Sequence, residues 1–145
     1  MIISFLLDGI ISKYAPYSIL SLIYLIFFKK NNLKKYYLIA FLIGFLFDYF
    51  YANLVFYNSF IFLECAILIN YFTKKFPKTF FNFLILTFIL VVNYYTISFI
   101  TLVIIKYVSF DLNRYLNIII NSIILNLVIA ILMYFINSKR HKLKW

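Results

Sequence analysis

The sequence predicts an all-α integral membrane protein, a single bundle of about six transmembrane helices with five as the other possibility. Three observations predict it. The chain is 66% hydrophobic and 12% charged, with a mean hydropathy of +1.00, whereas soluble domains are about half apolar and about a quarter charged. Residues 36–63, 79–105 and 115–138 are apolar runs whose only charge is Asp48. Each exceeds the roughly 20 residues that carry a helix across a bilayer. Finally, eleven of the fourteen Lys and Arg fall in three clusters: Lys29, Lys30, Lys34 and Lys35; Lys74, Lys75 and Lys78; Lys139, Arg140, Lys142 and Lys144. Backbone groups in hydrocarbon must bond within the segment, and runs this continuous do not alternate as barrel strands do, so the spans are read as helices.

Residues 1–11 form the first expected span. They carry Asp8, lack a basic leader, and are followed by Ser12-Lys13-Tyr14-Ala15-Pro16 in place of a small-residue cleavage site. They read as a mature helix and not a removable signal. Pro16 suits the first turn of a second helix, which would end before Lys29. Two spans in 28 residues are short for a core of about 30 Å. The alternatives are a re-entrant segment or one long tilted helix.

The three basic clusters are expected on the cytoplasmic side. Consecutive clusters are then separated by an even number of crossings. Residues 36–73 hold a helical hairpin turning near residues 52–54. Residues 79–138 hold a second pair of spans, divided at "KYVSFDLNR". The C-terminus is thereby cytoplasmic. The longest polar stretch is under ten residues, so residues 1–145 read as one transmembrane domain with no soluble domain.

The formal charge of +10 is explained by basic loops that set orientation and meet anionic lipid headgroups. No nucleic-acid-binding pattern accompanies it. Cys65 lies inside an apolar run and His141 in the tail, and with one of each no structural zinc site is expected. No phosphate-binding Gly-Lys loop, nucleophile elbow or His pair is present. The expectation is a non-enzymatic protein without a cofactor.

The polar residues within the spans are the candidate sites. Ala40, Gly44, Asp48 and Ala52 recur every four residues, which places them along one helix stripe. Ala40 and Gly44 make a small-xxx-small pair that admits a close neighbour. Asp48 has no charged residue within twelve positions on either side. A carboxylate in a span costs a few kcal/mol on insertion scales and marks function or a packed polar contact. Two readings stay open for it: a cap on the second hairpin helix near Asn53, or a packing or partner contact. Glu64 lies on the returning helix, with Tyr57 and Tyr71 seven residues to either side as candidate donors. Asn113, Asn117 and Asn121 form an i, i+4 ladder on the last span, and Asn82 and Asn93 share a face of the span before it. Bundle packing is the first expectation for these amides and a substrate-lined cavity the second.

The segment "GFLFD", Gly44 to Asp48, resembles the Gly-x-Leu-x-Asp segment of the MreD family of bacterial rod-shape membrane proteins. In that family a Pro-initiated span leads to a polar loop, the Gly-x-Leu-x-Asp helix, a turn, and an Asn that begins the next helix. Here these are Pro16, "KKNNLKK", Gly44 to Asp48, and Asn58. The chain departs from the pattern at the turn, with Ala52 and Phe56 where glycines are expected. The resemblance implies a non-enzymatic scaffold or regulatory subunit of the machinery that guides side-wall peptidoglycan synthesis in the bacterial cytoplasmic membrane. Its implied partners are a bitopic MreC-like protein and, in a larger complex, MreB, RodA and a penicillin-binding transpeptidase. MreD-like folds are also similar to the substrate-binding subunits of energy-coupling-factor transporters. The alternative function is therefore a small-molecule-binding membrane subunit of a vitamin transporter. The resemblance puts Asn58 beside Ala40, Gly44, Asp48 and Ala52 as packing or partner-contact residues.

Overall fold

The structure, a computed structural model, describes residues 19–27, 32–52, 56–77 and 79–140. All regular elements among these residues are helical. In chain order they are α1 (Leu20–Phe27), α2 (Leu33–Phe47), a π-helical turn (Asp48–Ala52) that continues α2, α3 (Tyr57–Lys75), α4 (Phe80–Ile104) and α5 (Leu112–Arg140). The expected span over residues 1–11 and the start of the next at Pro16 lie outside the described residues. So do Lys29, Lys30, Lys78, residues 53–55 of the hairpin turn, and the chain after Arg140.

Short polar side chains start the helices. The first N–H groups of a helix have no partner within it. Asn32 Oδ1 accepts from Lys35 N–H at 3.2 Å, and Thr79 Oγ1 from Asn82 N–H at 3.2 Å. Asp111 Oδ1 accepts from Asn113 N–H at 2.9 Å and Arg114 N–H at 3.3 Å. The end of α4 is closed by Lys106, whose φ of 56° is left-handed. Its N–H bonds to Val103 O, and that of Tyr107 to Leu102 O, the pairing of a Schellman motif. The break between α4 and α5 thus falls within "KYVSFDLNR".

Two antiparallel hairpins, α2–α3 and α4–α5, make up most of the bundle. Asn70 Nδ2 donates to Tyr37 Oη at 2.8 Å near one end of the first, and the rings of Phe41 and Phe60 meet nearer the other. In the second hairpin, Phe80 packs on Tyr134 at one end, and Thr96 Oγ1 lies 2.8 Å from Tyr115 Oη at the other. The short α1 fits between the hairpins. Tyr36 Oη donates to Leu25 O, Phe27 packs on Phe83, and Ile19 N–H donates to Asn126 Oδ1. These contacts gather the starts of α2 and α4 and the ends of α3 and α5 at one end. Lys34, Lys35, Lys74 and Lys75 are there, while Lys106, Asp111 and Arg114 are at the opposite end.

The core runs along α3, which buries Asn58, Phe62, Cys65, Ala66 and Ile69 on one stripe, at the three- and four-residue spacing of a helix face. Facing it are Tyr36, Ala40, Ile43 and Gly44 of α2 and Phe83, Leu86 and Leu90 of α4. The outer surface is apolar as well: Leu38, Phe60, Ile67, Phe81 and Ile124 are each at least half exposed. Two helices, Phe80–Ile104 and the Leu112–Ile136 part of α5, are long and apolar enough to cross a membrane. At 1.5 Å per residue, 25 residues extend about 37 Å. The eight residues of α1 are fewer than a crossing needs. The described residues thus hold five α-helices, two of spanning length, where six spans are expected from the sequence.

Candidate functional site

Among the described residues, the most concentrated polar cluster lies where α2 ends and α3 begins. Asp48, the first residue of the π turn, is 2% exposed and accepts four hydrogen bonds. Its Oδ1 takes Asn58 N–H at 2.8 Å and Asn58 Nδ2 at 2.9 Å. Its Oδ2 takes Ser59 N–H at 3.1 Å and Ser59 Oγ at 3.2 Å. Asn58 and Ser59 are the second and third residues of α3, so two of that helix's unpartnered N–H groups are met by a side chain from the preceding helix. The residue at the usual capping position, Phe56, provides no such bond. A carboxylate at this place is also favoured by the positive end of the α3 dipole.

The α2 stripe makes the approach possible. Gly44 is buried one turn before Asp48, and a Cβ built on it would lie 2.5 Å from Asn58 O and 2.5 Å from Ser59 Cα. No side chain fits there. Ala40, one turn earlier on the same stripe, is fully buried. Ala52 ends the π turn. The chain then enters α3 through Phe56 at φ 63°, a left-handed conformation that costs a non-glycine residue roughly 1 kcal/mol or more. The Phe56 ring stacks on Phe41 and lies against Phe45.

The cluster extends to α4. Tyr94 Oη donates to Asn58 Oδ1 at 2.6 Å, so the Asn58 amide uses its oxygen toward α4 and its nitrogen toward α2. Beside it, Tyr57 Oη donates to Ser98 O at 2.9 Å. One buried network therefore ties α2, α3 and α4 together. Each Asp48 oxygen already accepts two bonds, which makes the carboxylate a fixed structural point and leaves it no free lone-pair direction for a ligand. Of the two readings open for Asp48, the structure shows the cap on the second hairpin helix, made at Asn58 and Ser59, while Asn53 lies outside the described residues.

The other sequence candidates lie apart from this cluster. Glu64 is half-buried and accepts from Asn93 Nδ2 at 3.3 Å. Neither tyrosine expected beside it is its partner: Tyr57 turns to Ser98, and Tyr71 is exposed and accepts from Lys75 Nζ at 3.0 Å. Asn82 Nδ2 donates to Pro77 O at 2.7 Å, away from Asn93. Asn113, Asn117 and Asn121 are exposed on the outer face of α5, outside the bundle interior. Among the residues of that helix whose burial is described, the buried polar ones are Ser122 and Asn126, which sequence reasoning missed although they too are spaced i, i+4. Ser59 and Tyr94 were missed as well. Among the described residues, no three His, Cys, Asp or Glu side chains gather as a metal site.

Comparisons with protein-family models, curated proteins and solved structures found no match for this chain.

Proposed function

We propose that the chain is a non-enzymatic, multi-pass subunit of the bacterial cytoplasmic membrane that acts with a bitopic MreC-like protein in the machinery for side-wall peptidoglycan synthesis. The observation that carries this reading is the meeting of the motif residues. Gly44, Asp48 and Asn58, which carry the sequence resemblance, are separated along the chain and form a single buried contact. A second observation concerns Phe56. It stands where the family pattern has a glycine, and its φ of 63° is the conformation that glycine adopts at least cost.

In this reading the Lys34, Lys35, Lys74 and Lys75 end faces the cytoplasm and anionic headgroups. The Asp48 end faces outward, toward the periplasmic part of the partner. Its exposed aromatic residues, Tyr49 at 73% and Phe50 at 59%, suit the membrane–water boundary. MreB, RodA and a penicillin-binding transpeptidase complete the larger assembly. The experiment is depletion in the native host. Loss of the chain should turn rods into swelling spheres, and the parent sequence should restore them. Rods that keep their shape through depletion overturn the proposal.

A further inference from the structure

The bundle covers α5 less than any other long helix. It packs on α4 along one side, and its opposite face is open: Leu116, Ile120, Ile124, Val128 and Leu132 are between 44% and 60% exposed. On that open face, toward the Asp111 end, are Asn113, Asn117 and Asn121, all exposed. Their side chains make no hydrogen bond among the described residues. In a membrane this arrangement has an energetic consequence. Lipid tails offer an amide no partner, and polar side chains in spans turn toward protein or a water-filled cavity. Asn113 stands at the start of the helix, but Asn117 and Asn121 run inward from it, and a second helix laid on this face would partner them.

The pattern identifies that helix as a second α5. An amide both donates and accepts, so a ladder repeating every fourth residue is complementary to an identical ladder in register. Two copies with the same orientation in one membrane meet in parallel about a two-fold axis along the bilayer normal, which sets like positions opposite each other. The Asp111 carboxylate caps α5 through backbone N–H groups, and the neighbouring Arg114 guanidinium makes no ion pair among the described residues. A surface depression of about 540 Å³, lined by Asp111, Asn113, Arg114, Asn117 and Ile118, opens at this place.

We propose that α5 is a self-association helix, through which two copies pair in parallel by the Asn113, Asn117 and Asn121 amides and the apolar residues Leu116, Ile120 and Ile124 beside them. The inference rests on the membrane reading above but not on the role in wall synthesis.

The test uses the full chain, with Cys65→Ser, in liposomes. Flotation with the vesicles comes first, and a chain that does not float overturns the membrane reading itself. Ile124→Cys on the open α5 face is then oxidised beside Leu38→Cys on the exposed face of α2. The proposal expects a disulfide dimer from Ile124→Cys and none above background from Leu38→Cys. Adding Asn117→Leu and Asn121→Leu should weaken dimerisation at least about ten-fold, read by single-molecule photobleaching across protein-to-lipid ratios. These positions are exposed, so helicity and melting temperature should stay at the parent values. Equal cross-linking from both faces overturns the proposal. So does a dimer indifferent to the leucines, or an Ile124→Cys protein that links in native membranes only to a different protein.

Discussion

Gly44 and Asn58 touch through their backbones: a Cβ on Gly44 would sit 2.5 Å from the Asn58 carbonyl oxygen and 2.7 Å from its carbonyl carbon. Helix backbone cannot give way as the tip of a flexible side chain can. The contact therefore holds α2 and α3 at a separation only glycine allows, and that separation lets Asp48 reach the start of α3.

Gly44→Ala should force the hairpin apart at its tightest point and lengthen the Asp48 bonds one turn away. Overpacking of this kind costs about 1–3 kcal/mol. Melting in detergent should show the loss, with less monodisperse protein recovered. Leu38→Phe, at an exposed position on the same helix, should stay close to the parent. Equal behaviour of the two variants would show that the close approach is not what holds the hairpin.

Asp48→Leu removes the acceptor for four donors and leaves them buried. Each unpaired donor costs about 1–3 kcal/mol, non-additively, so this should be the most damaging single change at the site. Asp48→Asn keeps an oxygen for Asn58 but presents an NH₂ group to the Ser59 donors, and should fall between. Thermal stability in detergent checks the order: parent, then Asn, then Leu. Leu and Asn variants as stable as the parent would mean that Asp48 does not cap α3.

Tyr94→Phe should cost about 1–2 kcal/mol, because it leaves Asn58 Oδ1 buried without its 2.6 Å donor. Its effect should be smaller than that of Asp48→Leu. A double-mutant cycle between the two should show coupling, since both bind the same amide. Additive effects would indicate that Asn58 does not transmit between α2 and α4.

Reporter fusions after Asn32, Lys75 and Trp145 should read as cytoplasmic, and one at Phe110 as external. The ends of both hairpins carrying Lys34, Lys35, Lys74 and Lys75 lie together, and Phe110 lies in the turn at the other end. An external reading at Lys75 would contradict the hairpin.

The parts of this architecture legible in the sequence are those set by composition. Uncharged runs and basic clusters mark helices and their ends, and the break before Asp111 is announced by its turn and capping residues. The four-residue spacing of Ala40, Gly44 and Asp48 marks a shared face because that spacing is a property of the helix itself. What Asp48 bonds to is not local in the same way. Its partners are ten and eleven residues on and depend on how the hairpin returns, which involves a π turn and a left-handed Phe56 that no pattern in the sequence announces. Glu64 shows the complementary error. Tyr57 and Tyr71 share its face but lie seven residues away, about 10.5 Å along the axis, too far for side chains standing side by side. Its partner Asn93 comes from the neighbouring helix. Similarly, i, i+4 spacing shows that Asn113, Asn117 and Asn121 share a face of α5 but not which face. An all-apolar helix has no polar side to orient it, so the inward pair, Ser122 and Asn126, looks no different in the sequence.

The most direct test of the functional account is recovery of the partner. The tagged chain would be purified from native-host membranes after brief in-cell cross-linking, and its companions identified by mass spectrometry. The account predicts a single-span protein with a periplasm-facing domain, recovered with the parent chain and strongly reduced with Asp48→Leu. Recovery of a bound vitamin with an ATP-hydrolysing transporter module, and no such single-span protein, would contradict it.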